Sequence, residues 1–538
     1  MSVNSFEQSY VVGVDFGSDS VRAVIVNTQN GNIVSNAMSV YPRWAEKKYQ
    51  HPECMIFRQH PLDYVEALEA CLIEAVGKVG KKTASLIVGL SVDTTGSTPC
   101  PVDKNGTPLA MLQTYQENED AMFWLWKDHS AAKEAELINE RFSNSDIDYT
   151  RYQGTYSAEW FWAKILHAIK HSPSLCEDAY TWVEHCDWIS ALLCGQTMPP
   201  IRRSACAAGH KALWHSEWNG LPAKQILCEI DPYLGQIYDD YVQPSTASEA
   251  FGRITEEWAA RLHLPKHTVV GGTSFDAHAG AVGAGIRESV AVINLGTSAV
   301  ALLVEKAEVL KGKSLSHVCG RAEDSIIPGL IGVETGQAAF GDIYSWLNRL
   351  LLWSVKDDQK GNILKRLDEE AEQLSERDDY PIALDWFNGR RYPNTDDTQR
   401  SVISGLSLSL TAPALYRSLV FGTVCGLKRI IDELTTEGVC IEAIIAIGGI
   451  SQKSEYIMHM LADVLHRPIS VASVAQTCAL GAAIYAAVGA GVYKTIPQAQ
   501  KKMCPAHSHV YYANTENSAL YKAKYNEYMK LAMMFEKT

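Results

Sequence analysis

Apolar residues dominate 11–15, 21–27 and 33–40, which predicts three strands joined by tight turns, with Asn30-Gly31 a strong hairpin signal. The period then changes. Tyr64, Leu68, Cys71, Leu72, Ala75, Val76 and Val79 recur at helical spacing, so 62–79 reads as a helix. LIVGLSV (86–92) follows as a short apolar strand ending at Asp93. Strand, helix and strand in alternation indicate an α/β fold. Helices are expected at 121–141 and 158–170, irregular chain over the Pro-, Gly- and Trp-rich 199–250, and strands at 269–273 and 290–296. The pattern then restarts. It reads as a strand at 299–304, helices at 338–352, 361–377 and 413–434, a strand at 441–449 and a helix at 454–465. A short strand at 471–473, a helix at 479–488 and a Tyr-rich helical tail at 517–535 complete it.

A chain of 538 residues exceeds one ordinary core, and two large domains are expected, 1–285 and 286–538, divided in the Gly-rich AGAVGAGIRES. The net charge of −14 argues against nucleic acid or an anionic membrane as the main partner. It leaves room for an anionic nucleotide in a pocket lined with N–H groups. The N-terminal MSVNSFEQSY lacks the basic and apolar regions of a signal peptide, and ALGAAIYAAVGAGV (479–492) is too short to span a bilayer. Thirteen scattered cysteines without C-x-x-C fit reduced thiols and a cytoplasmic location. The histidines show no H-E-x-x-H spacing, so no structural zinc site is expected.

The grammar of VDFGSDSVRAV (14–24) returns in INLGTSAVALL (293–303), about half a chain later. Each copy runs from a buried strand through Asp or Asn, Gly and hydroxyl residues into an outgoing strand. Such a turn presents successive N–H groups and hydroxyls to a phosphate, and Gly17 and Gly296 allow close backbone approach. Two copies suggest two domains on one plan, their turns (Gly17, Ser18, Ser20; Gly296, Thr297, Ser298) holding one polyphosphate across a cleft. Asp15 beside phosphates would repel them unless a cation such as Mg²⁺ lies between; otherwise it buttresses the turn. Arg22 is expected near the phosphates or in a strand-end salt bridge. Gly448-Gly449 between a strand and a helix either packs a nucleoside or forms a plain tight turn.

Asp276 lies among small residues in GGTSFDAHAGAVGAG (271–285). A carboxylate positioned at a hydroxyl can accept its proton during phosphoryl transfer; the alternative is helix capping. Four segments carry groups suited to a polyol: Asp93 with Thr94, Thr95, Ser97 and Thr98; Trp126, Lys127, Asp128 and His129; His210 and Lys211; Glu334 and Gln337.

These strings resemble the FGGY family of carbohydrate kinases, of the actin-like (ribonuclease H-like) ATPase fold, over about residues 10–530. DFGSDSVRA and NLGTS are similar to the family's two phosphate motifs, FDAHAGAVGAG to its catalytic-base segment and GGISQKS to its adenosine motif. Within the family, YPRW, VDTTGSTP, LWKDH, AAGHKALW, GVETGQAAFGD and APALYRSL are most similar to bacterial kinases of L-ribulose. The resemblance implies an α/β protein with two such domains flanking a catalytic cleft. It would use ATP and Mg²⁺ to make L-ribulose 5-phosphate in L-arabinose catabolism, with another pentulose or pentitol as alternative substrate and an actin- or Hsp70-like ATPase as the more distant alternative. It implies Asp276 as base, Thr95, Gly96, Ser97, Lys211, Asp276 and Glu334 at the sugar, and Gly448, Gly449, Gln452 and Ser454 at the nucleotide. Asp15 and Asp276 would serve the metal. A homodimer is an expectation of likeness alone. Ala414, Phe421 and Ser454 depart from the family pattern, Ser454 standing where Asn is common.

Overall fold

The structure, a computed structural model, describes residues 8–313, 315, 318–356, 361–375, 380–393, 395–396 and 398–536. The chain divides into two compact units. Unit 1 comprises Met1–Gly285, Arg321–Gly332 and Gln476–Pro505; unit 2 comprises Ile286–Gly320, Val333–Ala475 and Ala506–Thr538.

In unit 1, β1 (Tyr10–Phe16), β2 (Ser20–Asn27) and β3 (Ile33–Val40) form an antiparallel meander. The helix α1 (Pro61–Ala84) returns the chain to β4 (Ile87–Thr94), which pairs in parallel with β1. β1 is buried throughout and its two faces have different tasks. Val12, Val14 and Phe16 join a core with Tyr64, Leu68, Leu72 and Val76 of α1. Val11, Gly13 and Asp15 point the other way, as period two requires. There the Thr477–Gly489 helix lies so close that a Cβ on Gly13 would meet the Ala479 carbonyl oxygen at 1.8 Å. A second, aromatic core gathers Trp124, Tyr156, Phe161, Trp162, Trp182 and Leu234. It includes residues of α2 (Phe161–His171) and β6 (Thr181–Glu184), while β5 (Pro99–Val102) sends Cys100 and Val102 into the first core. Cys206 and Ala207 of α3 (Ala205–Lys211) cluster with Phe275 of β7 (Ser274–Phe275), which leads into α4 (Asp276–Ala284).

Unit 2 repeats the plan. β8 (Val290–Leu295) and β9 (Ala299–Glu305) form an antiparallel hairpin, and β10 (Ala443–Ile447) runs parallel to β8. β11 (Ile469–Val471) and β12 (His509–Tyr511) extend the sheet. The long helix α5 (Ala412–Thr436) and α6 (Glu455–Leu465) bury their apolar faces in this unit.

Several sequence expectations are corrected. The 121–141 segment is not one helix: Phe123–Trp124 is extended, pairing with Arg58–Gln59, and the helix is Ala132–Ser143. The run Met122-Phe123-Trp124-Leu125 is wholly buried, so its apolarity marks a core crossing rather than one helix face. The 199–250 span is not irregular; it holds α3, Lys224–Ile230 and Pro232–Asp240, whose Ser204 and Asp231 caps offset a Pro- and Gly-rich composition. The strand expected at 471–473 sits two residues earlier, as β11. The charged helix is Leu364–Glu372, and positions 376–377 of the expected span lie outside the described residues. No helix among the described residues is long and apolar enough to cross a membrane.

Candidate active site

Unit 1 collects acids at the carboxyl ends of three neighbouring strands. Register places Asp15 of β1 opposite Asp93 of β4, and Asp93 opposite Ser274 of β7, two residues before Asp276. Parallel pairing therefore assembles three carboxylates from positions far apart in sequence. Their environments differ. Asp93 is 0% exposed and Asp15 only 7%, whereas Asp276, the first residue of α4, is half-buried. Burial, then the charges of Asp15 and Asp276, drives the Asp93 carboxyl well above the ordinary range. Burial also raises Asp15, opposed by the Arg22 guanidinium. Cys478, in the first turn of the Thr477–Gly489 helix, lies within the field of all three acids, which with burial push its thiol up. Among the described residues no donor other than a proton shared with Asp15 reaches either oxygen of Asp93.

The β1–β2 turn is braced from outside. Gly17 donates its N–H to the Ser20 carbonyl at 3.0 Å, and Tyr41 Oη donates to the Gly17 carbonyl at 3.0 Å. The Trp126 indole donates to Ser18 Oγ at 2.9 Å and Gln59 Nε2 to the Ser18 carbonyl at 2.7 Å. Asp128, expected among polyol readers, is instead wholly buried, accepting from the Phe57 N–H at 2.7 Å and from Ser130 Oγ at 2.6 Å. The LWKDH segment thus seats the turn. Arg22 lies 3.6 Å from Asp15, so the strand-end ion pair forms.

Gly96 and Lys211 of the same unit gather on Phe275, the residue before Asp276. Asp276 Oδ1 accepts from the Ala277 N–H at 2.7 Å, and Phe275, not Asp276, holds the N-cap position. A Cβ on Gly96 would stand 2.0 Å from the Phe275 ring, so only glycine fits the turn against it. Thr95 Oγ1 and Thr98 Oγ1 are 3.0 Å apart across that turn, and Ser97 is buried within it. Lys211, the last residue of α3, extends Nζ over the Trp160 ring at 5.3 Å and the Phe275 ring at 5.9 Å. Sequence reading named Thr95, Gly96, Ser97, Lys211 and Asp276. It did not single out Asp93 as the acid between two others, although Asp93 ends an apolar strand just as Asp15 does. Lys164 and Glu184, which hold the 95–98 turn, carried no motif.

In unit 2, the Gly296–Ser298 turn closes with Gly296 N–H to the Ser298 carbonyl at 3.0 Å. Its carbonyls are taken by Phe340, Gly341 and Asp342 N–H groups at 2.7–3.1 Å. No atom beyond its chain neighbours comes within 3.7 Å of a Cβ built on Gly296, and none within 4 Å of one on Gly449. The fold leaves space beside both. Gly448, at φ 92°, is needed by the fold itself, its Cβ position lying 2.5 Å from Asn294 Oδ1. Gln452 Nε2 donates to the Ala472 carbonyl at 2.7 Å, and Ser454 Oγ caps α6 through the Ile457 N–H at 3.2 Å. Glu334 lies on the strand Ile331–Gln337 and its carbonyl accepts from Cys319 N–H at 2.8 Å. Gln337 is buried on Asp385 and the Thr423 carbonyl, at 2.6 and 2.9 Å. Phe421 packs against Tyr380 and Tyr521, and Ala414 sits in the first turn of α5.

Residues 10–283 match the N-terminal domain and 291–490 the C-terminal domain of the FGGY family of carbohydrate kinases. The chain is 40% identical to the ribulokinase of Vibrio parahaemolyticus, covering 100% of this chain and 98% of that protein. It is 34% identical to that of Shouchella clausii, over 97% and 94%. In fold it is similar to the xylulose kinase of Rhodospirillum rubrum, with TM-score 0.80 and 20% identity over 98% of this chain and 99% of that one. Plasmodium falciparum glycerol kinase gives TM-score 0.78 and 16% identity over 97% and 98%. Both domain matches and the near-full-length likeness to the two ribulokinases make this chain a sugar kinase of the FGGY family of carbohydrate kinases, with the actin-like ATPase fold.

Proposed function

We propose that the chain transfers the γ-phosphoryl group of ATP to L-ribulose, giving ADP and L-ribulose 5-phosphate for L-arabinose catabolism. The observation that carries this reading is the half-buried Asp276 at the start of α4, with Lys211 and the 95–98 turn gathered on Phe275 beside it. The named relatives, alike over nearly the whole chain, supply the substrate.

In this reading Thr95, Gly96, Ser97, Lys211 and Glu334 hold the sugar. Asp276 accepts the proton of the terminal hydroxyl as that oxygen bonds to the γ-phosphorus and the bond to ADP breaks. The turns at Gly17, Ser18 and Ser20 and at Gly296, Thr297 and Ser298 receive phosphates, with Arg22 next to the first. Gly448, Gly449, Gln452 and Ser454 receive the nucleoside, Gln452 and Ser454 also serving the fold as described. The donor set fits Mg²⁺: two crowded carboxylates, one without an N–H donor, are what a hard cation relieves. Asp15 would hold it, with Asp276 contributing through water, and the ion would neutralise charge on the phosphates. Cytoplasmic location and a homodimer complete the proposal, the latter read by light scattering.

The test is ADP release with Mg·ATP against L-ribulose, D-ribulose, D-xylulose, ribitol, L-arabinitol and glycerol. A kcat/KM for L-ribulose at least tenfold above the others supports the reading. Preference for another polyol keeps Asp276 and moves the substrate. ADP release indifferent to every sugar sinks the kinase chemistry.

A further inference from the structure

Two buried ionisable side chains, neither used by the transfer step, converge on the 95–98 turn of unit 1. Glu184 ends β6 and is 3% exposed; Lys164 lies in the first turn of α2 and is 0% exposed. One Glu184 carboxylate oxygen accepts from Ser97 Oγ and the other from the Thr98 N–H at 2.6 Å. From another element, Lys164 Nζ donates to the Ser97 carbonyl at 2.7 Å, the Leu125 carbonyl at 2.9 Å and the Trp124 carbonyl at 3.4 Å. The three carbonyls match the three donors of one ammonium group. The Ser97 hydroxyl and carbonyl, and the Thr98 N–H, are thus all engaged by charged groups that the aromatic core shields from water.

We propose that Glu184 and Lys164 are positioning residues for the sugar, clamping the Thr95–Thr98 turn and thereby setting affinity for sugar rather than for ATP. The inference rests on reading that turn as the sugar's lining. Burying a charge is costly unless it is fully hydrogen-bonded, and a core of this size could brace a turn with neutral groups. A carboxylate and an ammonium on one dipeptide fix it from opposite chemical senses. Gly96, pressed on Phe275, transmits that position to the residue preceding Asp276. Burial pulls Lys164 down to about 7 and raises Glu184, while each opposes the other's change.

The experiment measures sugar KM, ATP KM, kcat and melting temperature for the full chain and for Glu184→Ala, Glu184→Gln and Lys164→Met. Glu184→Ala is expected to raise sugar KM at least tenfold with ATP KM within twofold. Glu184→Gln should recover sugar KM to within about threefold, because an amide oxygen still accepts from Thr98 and the Ser97 hydroxyl can reverse its bond. Lys164→Met should raise sugar KM more than ATP KM. A merely structural role would lower stability or move both KM values alike. Sugar KM within twofold in a folded Glu184→Ala, or equal rises in both KM values, overturns the proposal. If Glu184→Ala does not fold, unchanged sugar KM in both Glu184→Gln and Lys164→Met overturns it. Should the unsubstituted chain prefer a different sugar, the substrate assignment above fails and the same comparison runs with that sugar. No sugar-dependent turnover at all overturns both.

Discussion

Asp15, Asp93 and Asp276 are one residue type in three environments, and environment divides their work. Only Asp276 is half-buried, with Oδ1 accepting from the Ala277 N–H at 2.7 Å. Asp276→Asn keeps the acceptor for Ala277 and removes the base. We expect kcat to fall by about 10²–10⁴-fold with sugar binding by calorimetry little changed. A variant retaining more than a tenth of the activity defeats the assignment. A second acid reports on how Lys211 is placed. Asp187 Oδ1 accepts from the Ser204 N–H at 2.9 Å, at the start of α3, which ends at Lys211. Burial lifts the Asp187 carboxyl from 3.8 to about 7, against the pull of Arg203. A folded-state value above the unfolded one means stability that is complete below pH ~4 and declines as pH rises toward ~7. Asp187→Asn removes this slope. Relative to the unsubstituted chain it should gain, by the order of a few kcal/mol, between pH 5 and 8 in urea unfolding. Parallel pH profiles for the two proteins would count against it.

Among elements, the Thr477–Gly489 helix is set by glycine. A Cβ on Gly481 would meet the Ala279 carbonyl oxygen at 1.8 Å, and one on Gly283 the Thr477 carbonyl oxygen at 2.0 Å, so α4 and this helix touch backbone to backbone. Gly481→Ala must push them apart, and overpacking of this kind costs about 1–3 kcal/mol. Gly77→Ala, the same change on α1 where nothing lies within 4 Å, should instead stabilise by about 0.5–1 kcal/mol. Thermal melts of the pair should move in opposite directions; a shared direction refutes the packing account. Periodicity revealed α1, β1 to β4, the two hairpins and the small-residue helix near 479–488, because each carries its burial pattern in contiguous residues. It failed at 121–131, where Phe123 and Trp124 are buried in extended chain, and at 199–250, where caps and not stripes define the helices. The same division holds at the site. Asp15 and Asp276 stand in readable motifs, but the place of Asp93 between them follows from parallel pairing, and Lys164 and Glu184 act through contacts 67 and 87 residues away on Ser97.

Over the whole molecule, each unit contains the same hairpin with a parallel strand beside it, yet unit 1 is not continuous in sequence. One face of β1, with Val11, Gly13 and Asp15, is covered by a helix that the chain supplies only at Thr477–Gly489. A fragment of residues 1–285 would leave that face and the corresponding face of β4 in water, together with the buried Asp93. Losing an apolar cover of this kind removes about 25 cal/mol for each Å² exposed, enough to exceed the stability of an ordinary domain. We therefore expect the 1–285 fragment to show no cooperative unfolding transition. The remedy is local, because Gly283 of α4 already lies against Thr477. Joining residues 476–505 to residue 285 through a short Gly/Ser linker restores the helix without asking the chain to cross the molecule. The fused fragment should melt cooperatively and the bare one should not, by circular dichroism and calorimetry. Cooperative melting of the bare fragment would show that β1 and β4 are stable without this helix. Failure of both fragments would place the missing stability in segment Arg321–Gly332, whose Glu323 carboxylate accepts from Ser216 N–H at 3.2 Å.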